Sequence, residues 1–163
     1  MIVLEPINDD NYMEILELKA DDALVSPNFY SLAEAYVSLK EVQDGELEAE
    51  YALMPFAIKN GDEYVGFAMI GLEDGEDISA GGEIYWLSRL MIDDAHQRKG
   101  YGSQALTALI DFAKSQPHGR KVNYFYTSVV PDSEGGAEKF YLDFGFENIG
   151  EKLGDEDLMK LIL

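Results

Sequence analysis

The sequence predicts a single α/β domain, and three observations carry that reading. Apolar runs of strand length alternate with segments of helical period along the whole 163 residues. Asn60-Gly61 stands between two of those runs, the strongest short-range mark of a β-hairpin. No repeat, low-complexity segment or linker interrupts the chain, and its length suffices to bury one sizeable core over residues 1–163.

Residues 2–7 read as a short strand. Asp9 and Asp10 are placed to cap a helix with Tyr12, Ile15 and Leu16 on one face. Ser31-Leu32-Ala33-Glu34 has the capping-box pattern and opens a second helix, with Leu32, Ala35, Tyr36 and Leu39 as its apolar stripe. The acidic stretch 43–50 is a connector. Residues 51–72 form the hairpin, and the carboxylate-rich stretch 73–82 is a solvated loop whose spacing does not fit an EF-hand. Glu83 to Ile92 is nearly continuous in large apolar residues, which suits a central strand.

From about Gly100 to Gln116 runs a helix with Leu106, Leu109, Ile110 and Ala113 inward. Residues 121–130 form another strand. A short helix carries Ala137, Phe140, Tyr141 and Phe144 on one side, and Gly145 suits its left-handed stop. The stretches "FENIG" and "EDLMKLIL" close the chain as two strands. The order is βαα, ββ, βα, βα, ββ.

Charge narrows the partners. The net charge is −20, which argues against nucleic acid, since phosphates need a basic footprint. Residues 1–83 hold 20 acidic and 3 basic side chains, and residues 84–163 hold 12 and 9. That asymmetry is either a solvated acidic surface or a first half that attracts a cation. With no cysteine there is no disulfide, thiolate metal site or cysteine nucleophile, and no metal is expected. The first residues lack the pattern of a signal peptide, and no apolar run approaches membrane-spanning length. A cytoplasmic protein without a membrane partner is the expectation.

The stretch "HQRKGYGSQA" (96–105) follows the central strand and opens a helix, and Gly100 to Ala105 spells G-x-G-x-x-A. A dinucleotide turn needs its first glycine almost directly after the strand, yet Asp93 to Lys99 intervene. No Gly-Lys-Ser/Thr is present, so a Walker loop is excluded. Two readings remain. Either the glycines merely shape a turn, or the amides at the helix start form an anion site, with Gln97, Arg98 and Lys99 adding donors.

Gln97-Arg98-Lys99-Gly100-Tyr101-Gly102 matches Q/R-x-x-G-x-G/A, the acetyl-CoA pyrophosphate motif of the GNAT superfamily of N-acetyltransferases. "AEKFYLDFGFENIGE" (137–151) is similar to its A-x-x-x-Y-x-x-x-G-F signature, with Tyr141, Gly145 and Phe146 in place. The chain therefore resembles that superfamily. "NFYSLAEAYV" and "PFAIKNGDEYVGFAMI" look like its bacterial spermine/spermidine acetyltransferase branch. The resemblance implies a mixed, mostly antiparallel sheet, splayed at its central strands, with helices on both faces. It implies acetyl-CoA as cosubstrate, held by Leu90, Met91, Ile92, Gln97, Arg98, Lys99, Gly100, Tyr101, Gly102 and Ser103. A backbone N–H of the splayed strand would polarise the acetyl carbonyl.

Without cysteine, no acetyl-cysteine intermediate can form, and transfer to the amine is direct. Periodicity alone makes Tyr141 a core residue, whereas the resemblance makes it the general acid for the CoA thiolate. His96 and His118 read as solvated loop residues. Glu83 is a candidate general base, and Arg89 stands where some relatives carry carboxylates. Glu134 stands where, by the same resemblance, the superfamily often has an asparagine that bonds the CoA arm, and an ionised carboxylate cannot donate that bond. The expected acceptor is a small cationic amine, with a polyamine as first choice; a homodimer is compatible with the sequence. The rivals are a protein amine, an aminoglycoside, or a non-catalytic acyl-CoA-binding regulator.

Overall fold

The computed structural model describes residues 1–20, 27–78, 80–131 and 136–163. Its seven strands are β1 (Ile2–Pro6), β2 (Met54–Asn60), β3 (Glu63–Glu73), β4 (Ile84–Ile92), β5 (Tyr124–Val129), β6 (Glu147–Leu153) and β7 (Glu156–Ile162). They form one sheet in the order β1-β2-β3-β4-β5-β7-β6. Every neighbouring pair is antiparallel except β4 and β5, which are joined through a helix and therefore run parallel. The four α-helices are α1 (Tyr12–Glu17), α2 (Asn28–Asp44), α3 (Tyr101–Lys114) and α4 (Ala137–Asp143).

Helices cover both faces, so β3 is buried without a break from Val65 to Leu72. On one face Leu106, Leu109 and Ala113 of α3 and Tyr141 of α4 pack with Ile58, Ile70, Tyr85 and Phe125. On the other, Ile15 of α1 and Ala35 of α2 pack with Ala57, Phe67, Met69 and Met91. Each mixed α/β element expected from the sequence is present. Among the described residues no helix is long and apolar enough to cross a membrane.

The helix starts differ from expectation. The N-cap of α1 is Asn11, not Asp9 or Asp10, and of its apolar residues only Ile15 is buried. Helix α2 begins three residues before Ser31, with Pro27 as N-cap, so Ser31 lies a turn inside and caps nothing. Its buried stripe is Asn28, Ser31, Ala35 and Ser38, small residues that let the helix approach the sheet closely. Tyr36 and Leu39 point outward instead. The β2–β3 turn is made by Gly61 (φ +64°) and Asp62, because Asn60 still pairs with Glu63.

Two polar hubs hold the acidic first half. The buried Asn28 side chain donates to Ile15 O at 2.8 Å and accepts from Arg89 Nη2 at 3.2 Å, tying α1, α2 and β4 together. Glu5 accepts from Asn11 Nδ2 (2.9 Å), Tyr64 OH (2.8 Å) and Lys59 Nζ (3.1 Å). Those three donors, Asn11 foremost, lower the Glu5 carboxyl from about 4.5 to about 2.

A carboxylate whose folded-state pKa is depressed stabilises the fold above its unfolded pKa and loses that contribution as pH falls. Glu5→Gln should therefore melt at a lower temperature than the parent at neutral pH. The gap should close as pH falls from about 4.5 toward 2. Thermal melts across that range check this; a gap that does not change with pH would contradict it.

Candidate active site

Strands β4 and β5 pair over two residues only, Tyr85 with Phe125 and Trp86 with Tyr126, and then part. The cause lies in β4. Its register against β3 passes from Leu87–Ile70 to Arg89–Met69, leaving Ser88 as an extra residue that bends the strand. The Ser88 hydroxyl donates to Met69 O at 3.2 Å. Past this bulge Leu90, Met91 and Ile92 remain paired with Ala68, Phe67 and Gly66 of β3, while β5 no longer pairs with them. Their side chains belong to the core, Leu90 and Ile92 toward α3 and Met91 toward α1. Only the backbone edge of this segment is open, and an open strand edge is a template for an extended ligand.

The chain leaves β4 through Asp93, whose carboxylate accepts from Ala95 N (3.0 Å) and Lys19 N (2.9 Å). Asp94 N in turn donates to Lys19 O at 2.9 Å, so the end of β4 is pinned to the segment after α1. Gln97 Nε2 donates to Ile92 O (3.2 Å) and Asp94 Oδ1 (3.0 Å), and Lys99 Nζ to Ala95 O (2.7 Å). Tyr101 OH accepts from Asn60 Nδ2 at 3.1 Å, which fixes the start of α3 to the β2–β3 turn. These side chains thus hold the loop's shape. Arg98 is exposed, in the left-handed region at φ 59°.

Gly100 is the N-cap of α3 with φ 78°, and no side chain caps the helix. The first intrahelical bond runs from Gln104 N to Gly100 O (3.2 Å). The amides of Tyr101, Gly102 and Ser103 precede it and have no carbonyl one turn back. They form the positive end of a 14-residue helix. A Cβ built on Gly102 would lie 3.6 Å from Ile92 Cγ1 and 3.9 Å from Phe140 Cζ. The glycine turn, the end of β4 and α4 therefore meet at one place, the mouth of the β4–β5 fork.

Tyr141 lies at the root of that fork. Its ring packs edge-on against Phe140 and Phe146. Thr127 Oγ1 donates across the fork to Leu87 O of β4 at 2.9 Å. Burial, only partly offset by the nearby Thr127 hydroxyl, pushes the Tyr141 phenol up to about 12, so it stays protonated at neutral pH. The sequence showed neither the Ser88 bulge nor Thr127. The one available signal was a threonine between Phe125 and Val129 on an otherwise apolar strand face.

Glu83 is not free to act as a base. Its carboxylate is paired with Arg120 and accepts from Tyr51 OH at 2.6 Å, and these bonds, Tyr51 first, lower it below the usual range. His118 is half-buried rather than solvated: its Nδ1 meets Tyr85 OH at 3.1 Å, and burial lowers its pKa. His96 is also half-buried, its Nε2 3.5 Å from Glu63. Glu134 lies outside the described residues.

The stretch 73–82 is also more than a solvated loop. Gly75 and Ile78 are buried, and with Glu73, Asp74, Asp77, Trp86 and Leu153 they line an open cleft of about 110 Å³. Burial, then Asp74 and Asp77, raise the Glu73 carboxyl. Trp86 is the last β4 residue paired with β5, which sets this acidic cleft beside the fork.

Comparison with known proteins fits this geometry. A model of the acetyltransferase (GNAT) family matches residues 15–146. The chain is 31% identical over 150 residues to the spermine/spermidine N(1)-acetyltransferase of Bacillus subtilis, covering 92% of this chain and 90% of that one. Its fold is similar to that of the PaiA N-acetyltransferase from Thermoplasma acidophilum, solved in complex with coenzyme A. That match has a TM-score of 0.69 and 13% identity, covering 100% and 99% of the two chains. Arabidopsis thaliana Naa50, solved with a bisubstrate analogue, matches with a TM-score of 0.63 and 21% identity, covering 98% and 97%.

The two glycines of the turn should respond differently to substitution. Gly100→Ala puts a Cβ on a left-handed residue, at a cost of about 1–2 kcal/mol, and should lower the melting temperature. Gly102→Ala meets only ordinary contacts and should leave it unchanged or slightly higher. Equal melting of the two variants would contradict the turn geometry.

Proposed function

The chain belongs to the GNAT family and is an N-acetyltransferase, and from that premise we propose that it transfers acetyl from acetyl-CoA directly to a primary amine of a small cationic acceptor, a polyamine. The observation that carries the reading is the fork: an open β4 edge that leads, within van der Waals reach, to an uncapped helix N-terminus.

In this reading the backbone edge of Leu90, Met91 and Ile92 holds the pantetheine arm. The amides of Tyr101, Gly102 and Ser103 take the pyrophosphate at the positive end of α3. Gly100 aims those amides, Gln97 shapes the loop, and Arg98 and Lys99 add positive charge. Bound there, acetyl-CoA supplies the thioester acyl group. An N–H on the β4 edge polarises its carbonyl, and Tyr141, still protonated, donates to the departing sulfur. A cytoplasmic location goes with this reading.

Three observations support the cationic acceptor. The first is the Bacillus relative's named activity. The second is the excess of carboxylates in residues 1–83. The third is the cleft at the fork, where Trp86 adds an aromatic face to Glu73, Asp74 and Asp77. A panel of spermidine, spermine, a peptide N-terminus, a lysine peptide and an aminoglycoside, read by CoA release, should show the polyamines fastest. With spermidine, kcat/KM should fall as salt rises, since the screening length shrinks to ~10 Å at ~0.1 M. Preference for a peptide, or indifference to salt, would overturn the polyamine assignment.

Tyr141→Phe keeps the ring and its packing, so folding and acetyl-CoA affinity should persist while kcat falls roughly 10²–10⁴-fold. A CoA-type thiol has a pKa of ~8.5, and the loss should shrink with a donor whose thiol is more acidic. Full activity in the phenylalanine variant would return Tyr141 to the core.

A further inference from the structure

The face of the sheet opposite α3 and α4 carries a polar pair at the open fork. Along β5, Phe125 and Val129 belong to the core under α3 and α4, so Tyr126 and Ser128 point to the other face. Tyr126 is the last β5 residue paired with β4, and Ser128 stands two residues on, about 7 Å past the end of that ladder. The Ser128 hydroxyl donates to the carboxylate of Glu156, the first residue of β7. Both residues are half-buried.

On that face the apolar packing falls into two separate clusters. One, under α1 and α2, takes in Met91 near the end of β4. The other, beside the 73–82 loop, takes in Ile84, Trp86, Tyr126 and Leu158. The boundary along β4 therefore lies between Trp86 and Met91, where β4 leaves β5. The pair also adjoins the acidic cleft. Leu153, one wall of the cleft, is the β6 partner of Glu156, and Trp86, another wall, is the β4 partner of Tyr126.

Glu156 differs from the carboxylates that serve as hubs. Glu5 meets Lys59 and Glu83 meets Arg120, which commits both to a fixed cation. Among the described residues Glu156 pairs with no lysine or arginine, and its hydrogen-bond partner is the Ser128 hydroxyl. A serine hydroxyl has one proton and two lone pairs. With its proton on Glu156, Ser128 keeps its lone pairs for an N–H donor at the fork.

We propose that Ser128 and Glu156 remove the proton of the acceptor amine: Ser128 Oγ receives the N–H, and Glu156, acting through Ser128, is the base that takes up the charge. This inference rests on the acetyl-transfer reading above, in which Tyr141 serves the sulfur from the α3–α4 face and leaves the opposite face to the amine. As the neutral amine attacks, the C–N bond forms and its nitrogen becomes cationic and acidic. One N–H proton passes to Ser128 Oγ while the serine's own proton moves to Glu156. The C–S bond breaks, and sulfur takes the phenol proton of Tyr141. The proton on Glu156 then returns through solvent to the phenolate, so serine, carboxylate and phenol end as they began.

The test assays Ser128→Ala, Ser128→Thr, Glu156→Gln and the double variant of Ser128→Ala with Glu156→Gln, using acetyl-CoA and the fastest amine of the panel. Glu156→Gln keeps the shape and a hydrogen bond to Ser128 but cannot take a proton. It should leave the melting temperature and KM for acetyl-CoA unchanged and lower kcat roughly 10²–10⁴-fold, the usual range for a general base. Ser128→Ala should fall comparably, and Ser128→Thr, which keeps the hydroxyl, should retain most of the activity. The double variant should be no slower than the worse single one, because the two act as a unit.

A second arm uses Glu156→Ala and decides the matter even if Glu156→Gln does not fold. Added formate should raise kcat of Glu156→Ala by supplying the missing carboxylate, and should leave Ser128→Ala unchanged. A parent that releases no CoA with any amine of the panel would overturn the acetyl-transfer reading itself. An active parent beside a fully active Glu156→Gln, losses that multiply in the double variant, or the same response of both alanine variants to formate would overturn the role of Ser128 and Glu156 alone.

Discussion

The parallel contact between β4 and β5 lasts for two residue pairs, and the proposed chemistry depends on its stopping there. A parallel pair that continued would fill its ladder and leave no backbone for a ligand. The bulge at Ser88 turns β4 away while keeping it locked to β3, so the opening is made within a sheet that remains whole. Three separate pieces of chain then become neighbours: the free edge of β4, the amides at the start of α3, and the hydroxyl of Tyr141. Each belongs to a rigid element, which holds a site more precisely than loops do.

Polar side chains, rather than apolar packing alone, hold the parts in place. Asp93 and Gln97 shape the exit from β4, and Asn28 ties α1 and α2 to Arg89 on the far face. At the opposite end of β4, Arg120 gathers Glu50, Glu83 and Tyr51 and lies 3.9 Å from Glu48. In a chain of net charge −20, these hubs use carboxylates as acceptors for fixed donors. The carboxylates of the 73–77 loop lie instead around an open cleft beside the fork, where they can meet a cation.

Most of the fold was legible in the sequence because its signals are periodic. The apolar run of β4, the stripe of α3 and the Gly145 stop each declare themselves over several residues. Helix starts were not: Ser31 and Glu34 have the right spacing for a cap, but α2 begins at Asn28 because its small polar residues face the sheet. Motif spacing also located the glycine turn and Tyr141. It could not reveal that Gln97, Lys99 and Tyr101 are bonded within the loop, since those bonds run to backbone and to Asn60 across the fold. Thr127 and Ser88 were invisible for a related reason: a hydroxyl's partner is set by register, and register is not written locally.

The central claim is that the β4 edge and the start of α3 form one slot for acetyl-CoA. Amide hydrogen exchange of the intact protein with and without CoA tests it most directly. The account expects added CoA to slow exchange at Leu90, Met91 and Ile92 and at Tyr101, Gly102 and Ser103, while amides of β1 and β6 exchange as before. CoA that binds without slowing those six amides, or that protects amides elsewhere, would contradict it.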